Sequence, residues 1–259
     1  MNTERRPEKG LDEPVLTAAD VVRWKLKRGI LPRIPPPRSV ILCYQSSLIS
    51  IAIKTYRAKQ VKGFMGDLYM LGKENHGIVL IGNFGIGAPA AVAMMEELAA
   101  FGARRFISIG MAGALQSHLR SGALVICDRA IRDEGTSRHY LPEEKWATAN
   151  PELVQALSHT LQTSGQPANV GSSWTTDAPY REMRRQVEQY RQEGVLTVEM
   201  ESAALFAAGR SLGLSVGAAF AVADTLDGSR WPLDFDQARA QRGLQVLLAT
   251  AVQVLTEAK

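Results

Sequence analysis

From Ser39 onward the chain alternates between two hydrophobic rhythms. Short runs rich in Val, Ile and Ala, bounded by Gly, Asn or Arg, are separated by longer stretches whose apolar residues recur at three- and four-residue spacing. The short runs predict strands at Val40–Cys43, Gly77–Ile81, Arg105–Ile109, Ala123–Ala130, Asn169–Thr175, Val195–Val198 and Ser215–Ala223. The longer ones predict helices. Pro89–Phe101 has Pro in its first turn and Gly102 just past its end, and Pro151–Thr163 has Asn150 as a cap with Glu152 in its first turn. Arg181–Gln192, Ser202–Leu212 and Asp236–Glu257 complete the set, the last with Leu244, Val246, Leu247, Ala251 and Leu255 spaced to pack on a sheet. Unbroken alternation of strand and helix predicts one α/β domain over 39–259. Residues 1–38 are polar and basic and end in Pro32, Pro35, Pro36 and Pro37, which reads as an arm, helical around Ala18–Arg28, leading into that domain.

Charge changes this picture by its distribution. The net charge is +4, from 30 Lys and Arg against 26 Asp and Glu, yet residues 1–62 hold 13 cations and 5 anions while residues 63–259 hold 17 and 21. The basicity is N-terminal, and the arm lacks the aromatic interleaving or recognition-helix pattern of a nucleic-acid binder. The longest nearly apolar run, Gly77–Met95, is interrupted by Gly82, Asn83, Gly85, Gly87 and Pro89. Those breakers predict a strand, a turn and a helix, not a membrane span. Cys43 and Cys127 lie in apolar runs without metal spacing or a CxxC, which points away from a disulfide scaffold and a zinc site. The first residues, MNTERRPEKGLDEP, have no apolar stretch after their cations and do not read as a secretory signal. A reducing, cytoplasmic setting is the expectation.

Candidate chemistry collects at predicted strand ends, where open α/β sheets bind ligands. Gly82-Asn-Phe-Gly85-Ile-Gly87-Ala-Pro89 joins a strand to a helix through glycines that permit positive φ and bring backbone N–H groups to a helix N-terminus. It has neither GxGxxG spacing nor a P-loop Lys, so a plain tight turn stays open. Ile107-Ser-Ile-Gly110-Met-Ala-Gly113 is a second strand ending in small residues. Thr197-Val-Glu199-Met200-Glu201-Ser202 crowds two carboxylates among apolar residues, where a carboxylate needs hydroxyls or cations; a ribose cis-diol offers two donors, and first-turn charge on a helix is the structural alternative. Asp224 ends another apolar run and suits a general acid or a helix cap equally. The polar loop Arg132–Tyr140 contains His139, whose default reading is a solvated loop residue.

Taken together, GIGAP after a strand, IGMAGAL, RDEGTSRHYLP, TTDAPYRE, VEMESAALF and VADTL, collinear from about Val40 to the C-terminus, resemble the nucleoside phosphorylases of the purine and uridine phosphorylase type, and within them the uridine phosphorylase-like branch. The resemblance implies a single α/β domain with a mixed, partly barrel-like central sheet flanked by helices, assembling as a homo-oligomer, a dimer or hexamer. It implies attack of phosphate on C1′ of a nucleoside, releasing the base and a sugar 1-phosphate, with phosphate as co-substrate and without metal or organic cofactor. Met200 and Glu201 are then expected at the ribose, with Glu199 as the neighbouring carboxylate, and Glu201 and Asp224 as the catalytic pair. Pro179, Tyr180 and Arg181 are expected at the base.

The departures fall at the phosphate end. Where relatives have Gly-Asp-Pro and then Arg, this chain reads Cys43-Tyr-Gln45-Ser46-Ser47. Ser108 and Met111 stand where relatives have Arg and a hydroxyl residue, and Met65 stands near the place of an Arg lent by a neighbouring subunit. Ser47, Gly85, Ser108 and Met111 are therefore the equivalents of a phosphate site without fork-shaped cations. Arg132, Arg138 or the basic arm are candidate substitutes. Two alternatives remain beside phosphorolysis: a nucleosidase using water, and a non-catalytic nucleoside-binding relative.

Overall fold

The computed structural model describes residues 14–31, 34–72, 77–225 and 236–257. Pro32 of the proline run and Leu226 of the VADTL string lie outside the described residues. The elements in chain order are α1 (Ala18–Lys27), β1 (Ser39–Cys43), α2 (Ser46–Tyr56), β2 (Lys59–Val61), β3 (Asp67–Met70), β4 (Ile78–Gly82), α3 (Ala88–Phe101), β5 (Arg105–Ala114) and β6 (Leu124–Asp133). They continue with β7 (Trp146–Thr148), α4 (Pro151–Thr163), β8 (Ala168–Thr176), α5 (Arg184–Gln192), β9 (Thr197–Glu199), α6 (Ser202–Ser211), β10 (Ser215–Thr225) and α7 (Gln237–Glu257).

β1 (SVILC) and β4 (IVLIG) are buried at every position, the pattern of parallel strands covered on both faces. Alternate side chains feed two cores. Val40, Leu42 and Phe106 face α3 and α6 with Met94, Met95, Leu205 and Phe206, whereas Ile41, Ile107 and Ile109 face α4 and α7 with Leu157, Leu244, Leu247 and Leu248. The strand order β10-β6-β8-β9-β5 is closed by a direct β10–β5 pairing, so these five strands form a barrel-like ring. β1, β4, β3 and β2 extend from β5 as an open wing. The sheet is mixed: β5 runs parallel to β1 and β10, and antiparallel to β9.

Ahead of the sheet, α1 begins with a capping box between Thr17 and Asp20 and lies against α3. Val22 and Leu31 are buried with Phe101, and Lys25 Nζ sits 2.6 Å from Glu97 Oε2.

The expected strands and helices are all present, α4 with the expected ends and the others shifted, and five elements are additional: α2, β2, β3, β7 and a short 3-10 helix at Ser137–His139. The largest shift is in β5, expected to end at Ile109. It runs on through Gly110, Met111, Ala112 and Gly113 because β10 pairs along it to Ala114 and β9 joins it from the other side at Gly113 and Ala114. Small residues that read as a turn are here strand positions, paired with β10 throughout and flanked on both sides at Gly113 and Ala114.

Candidate active site

The candidate site lies where the turn after β4 reaches the junction of β9 and α6, with β9 paired to the end of β5. β4 ends at Gly82, and the turn to α3 places Asn83 at φ +54°, Gly85 at φ +101° and Gly87 at φ +91°. Gly87 is the N-cap of α3, with no side chain to occupy the end of that helix. Its N–H instead donates to Glu201 Oε1 at 2.6 Å, so the carboxylate of a distant segment supplies the missing cap.

β9 positions that carboxylate. Its antiparallel register sets Val198 opposite Gly113 and Thr197 opposite Ala114, and α6 begins at Ser202, directly after the Glu199-Met200-Glu201 turn. Glu199 locks this turn. Its Oε2 accepts from the N–H groups of Glu201 at 2.9 Å and Ser202 at 2.8 Å, and its Oε1 accepts the Thr175 hydroxyl from β8. Thr175 Oγ1 in turn accepts from Ala203 N at 2.9 Å. Both oxygens of Glu199 are thus engaged inside the protein, while Met200 beside it is half-buried and its methyl lies near Gly87.

Burial, and secondarily the charge of Glu199, pushes the Glu201 carboxyl up to about 8, although the N–H groups of Gly87 and Met200 pull the other way. Burial likewise raises Glu199, against the hydrogen bonds it accepts from Thr175 and the α6 backbone. Two carboxyls this close and this buried favour holding at least one proton at neutral pH.

The residues aligned with a phosphate site are dispersed in their bonding. Ser47, in the first turn of α2, gives its hydroxyl to Gln241 Oε1 on α7 at 2.7 Å. Ser108 is buried with its Oγ 3.0 Å from the Tyr44 hydroxyl, Met111 is half-buried in β5, and Gly85 is exposed in the turn before α3. Arg132 is buried and spent on Ser137, Leu141 and Pro142, to which it gives four hydrogen bonds. That engagement removes it as a substitute phosphate ligand. Arg138 is exposed.

At the other end, Pro179, Tyr180 and Arg181 form an exposed loop after β8. Asp224 lies on β10 opposite Gly113, just past a register shift after Val222, the kind of bulge that re-aims a side chain at a site rim. The half-buried Glu182 was not among the expected residues. Its carboxyl is raised to about 7 by burial first and by the charge of Asp224 second, so the loop and β10 bring two acids within electrostatic reach. Only its place beside Arg181 hints at this in the sequence. His139 is exposed and lines a groove of about 630 Å³ with Pro89, Glu96 and Tyr140.

Comparison with known proteins gives the family and the fold. A family model described as "Phosphorylase superfamily" matches residues 47–256. Uridine phosphorylase of Haemophilus influenzae is 33% identical over 57% of this chain and 64% of its own length. Uridine phosphorylase of Thermococcus kodakarensis is 32% identical over 67% and 65%, and guanosine phosphorylase of Halorubrum lacusprofundi is 34% identical over 52% and 56%. The chain thus aligns with somewhat less than two thirds of the length of these relatives. A crystal structure of uridine phosphorylase from Vibrio fischeri superposes with a TM-score of 0.73 over 86% of this chain and 92% of that one, at 24% identity, and shares the fold. No helix among the described residues is long and apolar enough to cross a membrane. With the ring of five strands, the glycine turn and the Glu-Met-Glu junction in one place, and a family match spanning most of its length, the chain belongs to the phosphorylase superfamily.

Proposed function

We propose that the chain cleaves the N-glycosidic bond of a nucleoside with phosphate, giving free base and sugar 1-phosphate. The observation that carries this is the buried Glu201 carboxylate, fastened to the Gly87 N–H at the junction of β9 and α6. An ionised carboxylate accepts several hydrogen bonds at once, so Glu201 retains capacity for the 2′- and 3′-hydroxyls of a ribose, with Met200 against the sugar face. Glu199, whose oxygens are taken by Thr175 and the α6 backbone, serves by holding Glu201 in place and not by touching the sugar.

In the proposed step a phosphate oxygen bonds to C1′ as the C1′–N bond breaks. The base leaves with the electron pair, and a proton reaches it from the acid end of the site, where Asp224 and Glu182 lie. Orientation of the sugar and electrostatic support of the positive charge developing on it supply the rate. Pro179, Tyr180 and Arg181 are assigned to the base side. A pyrimidine nucleoside is the first substrate to test, since several relatives are named uridine phosphorylase; the guanosine phosphorylase makes a purine the second. The reading includes phosphate as co-substrate without metal or organic cofactor, a cytoplasmic setting, and assembly as a dimer or hexamer.

A second reading, hydrolysis, is favoured by the phosphate end itself. Ser47 and Arg132 are already bonded within the protein, and Ser108 and Met111 bring no cation. One assay decides between them: release of base from a nucleoside panel with and without phosphate, with the sugar product identified. Phosphate-dependent formation of sugar 1-phosphate supports phosphorolysis, whereas free sugar formed at the same rate in both conditions refutes it.

A further inference from the structure

Tyr44, the first residue after β1, extends across the ends of the central strands. Its hydroxyl is 3.0 Å from Ser108 Oγ on β5. Its ring stands edge-on to Phe84 in the glycine turn, with centroids 5.5 Å apart at 63°. The ring also rests on Gly110, where an added Cβ would lie 3.2 Å from Tyr44 Cδ2. A glycine at this point in β5 therefore makes room for the tyrosine. The phenol lies in the field of both Glu201 and Glu199, and burial together with these carboxylates keeps it neutral. The next residue, Gln45, has a buried amide oxygen without a hydrogen-bond partner.

This end of the site is accordingly built from hydroxyls and an amide beside two acids. The Gly87 N–H, which would otherwise favour an anion at the start of α3, is occupied by Glu201. Among these described residues, an incoming dianion would meet two acids, two hydroxyls and an amide and no cation, and neutral hydroxyls offset that only in part. We propose that Tyr44 is the specificity-determining residue for the attacking group: its ring, seated on Gly110 and tied to Ser108, takes the space an inorganic oxyanion needs and limits how tightly phosphate binds. This rests on the reading that phosphate is the co-substrate.

Tyr44→Ala removes both ring and hydroxyl, and Tyr44→Phe removes only the hydroxyl. In steady-state assays of the full chain, Tyr44→Ala is expected to lower the KM for phosphate by about tenfold or more while the KM for nucleoside stays within about threefold. Tyr44→Phe is expected to keep the phosphate KM within about twofold of the parent, because the ring remains. An unchanged or raised phosphate KM in Tyr44→Ala overturns the proposal, since a phosphate ligand or a bystander would behave that way. If Tyr44→Ala does not fold, Tyr44→Ser carries the same expectation.

Calorimetric titration with inorganic phosphate alone separates this from the wider reading. Should the parent prove hydrolytic, phosphorolysis fails, yet tighter phosphate binding by about tenfold in Tyr44→Ala than in Tyr44→Phe still supports the role of the ring. Equal affinities refute it.

Discussion

Glu201 shows how one residue links stability, pH and substrate. Its carboxyl is held near 8 against an ordinary value of 4.5. Between those values the folded chain keeps a proton that the unfolded chain has lost, so this group makes stability fall as pH rises through that window. Glu201→Gln, neutral throughout, should show a smaller drop in Tm between pH 5 and pH 8.5 than the parent, and identical slopes would contradict the raised value. In turnover the direction reverses. The ionised form is the better acceptor for two hydroxyls, so kcat/KM for nucleoside is expected to rise with pH through about 8 and to lose that limb in Glu201→Gln. Thr175 sits one step behind. Thr175→Val strips a donor from Glu199 and an acceptor from Ala203 N, which costs about 2 kcal/mol in denaturant unfolding and lowers kcat, because Glu201 then loses its anchored turn. The crowding of two acids by Val198, Met200 and Ala203 is visible in the sequence. Their division of labour is not, since it depends on a hydroxyl 24 residues away on another strand. Tyr44 carries no local pattern at all; only the Cys43-Tyr44-Gln45 string, at odds with the family, marks the spot.

Elements with strong local punctuation were legible, and those made by pairing were not. α4 starts and stops where its Asn150 cap and apolar spacing place it, and α3 differs by one residue at its start. α2, SSLISIAIKTY, mixes β-branched residues with weak helix formers and has no side-chain cap, so its sequence does not separate helix from strand. β2, β3 and β7 span three or four residues each and exist because β4 and β6 offer edges to pair with. The glycine turn is where local chemistry and the site coincide. Gly87 has φ +91°, and an added Cβ would be 3.9 Å from the nearest atom, the Met200 methyl. Space is therefore available, but the backbone geometry disfavours a side chain. Gly87→Ala is expected to cost about 1–3 kcal/mol from strain and to weaken the hydrogen bond from its N–H to Glu201, lowering kcat/KM for nucleoside together with Tm. A variant with normal stability and normal kcat/KM would show that the Gly87–Glu201 contact does not position the carboxylate.

On the scale of the whole chain, the uneven charge acquires a location. α1 and its C-cap Arg28 carry the exposed cations Arg23, Lys27 and Arg28 outward, while the same helix turns Val22 inward to Leu31 and Phe101 and pairs Lys25 with Glu97. The basic segment is thus joined to the domain by a small apolar contact on α3, and α3 is the helix that begins at Gly87 beside Glu201. If that contact steadies α3 along its length, it also fixes the direction of the helix's first N–H groups. Val22→Asp tests this. An unpaired carboxylate in this cluster is expected to cost roughly 2–4 kcal/mol, seen as a lowered Tm, because its desolvation is uncompensated among Leu31 and Phe101. If α1 steadies α3, kcat/KM for nucleoside falls as well at temperatures where the variant is fully folded. If only Tm moves, α1 stabilises the domain without reaching Glu201, and the charge that distinguishes the N-terminal segment has no part in catalysis.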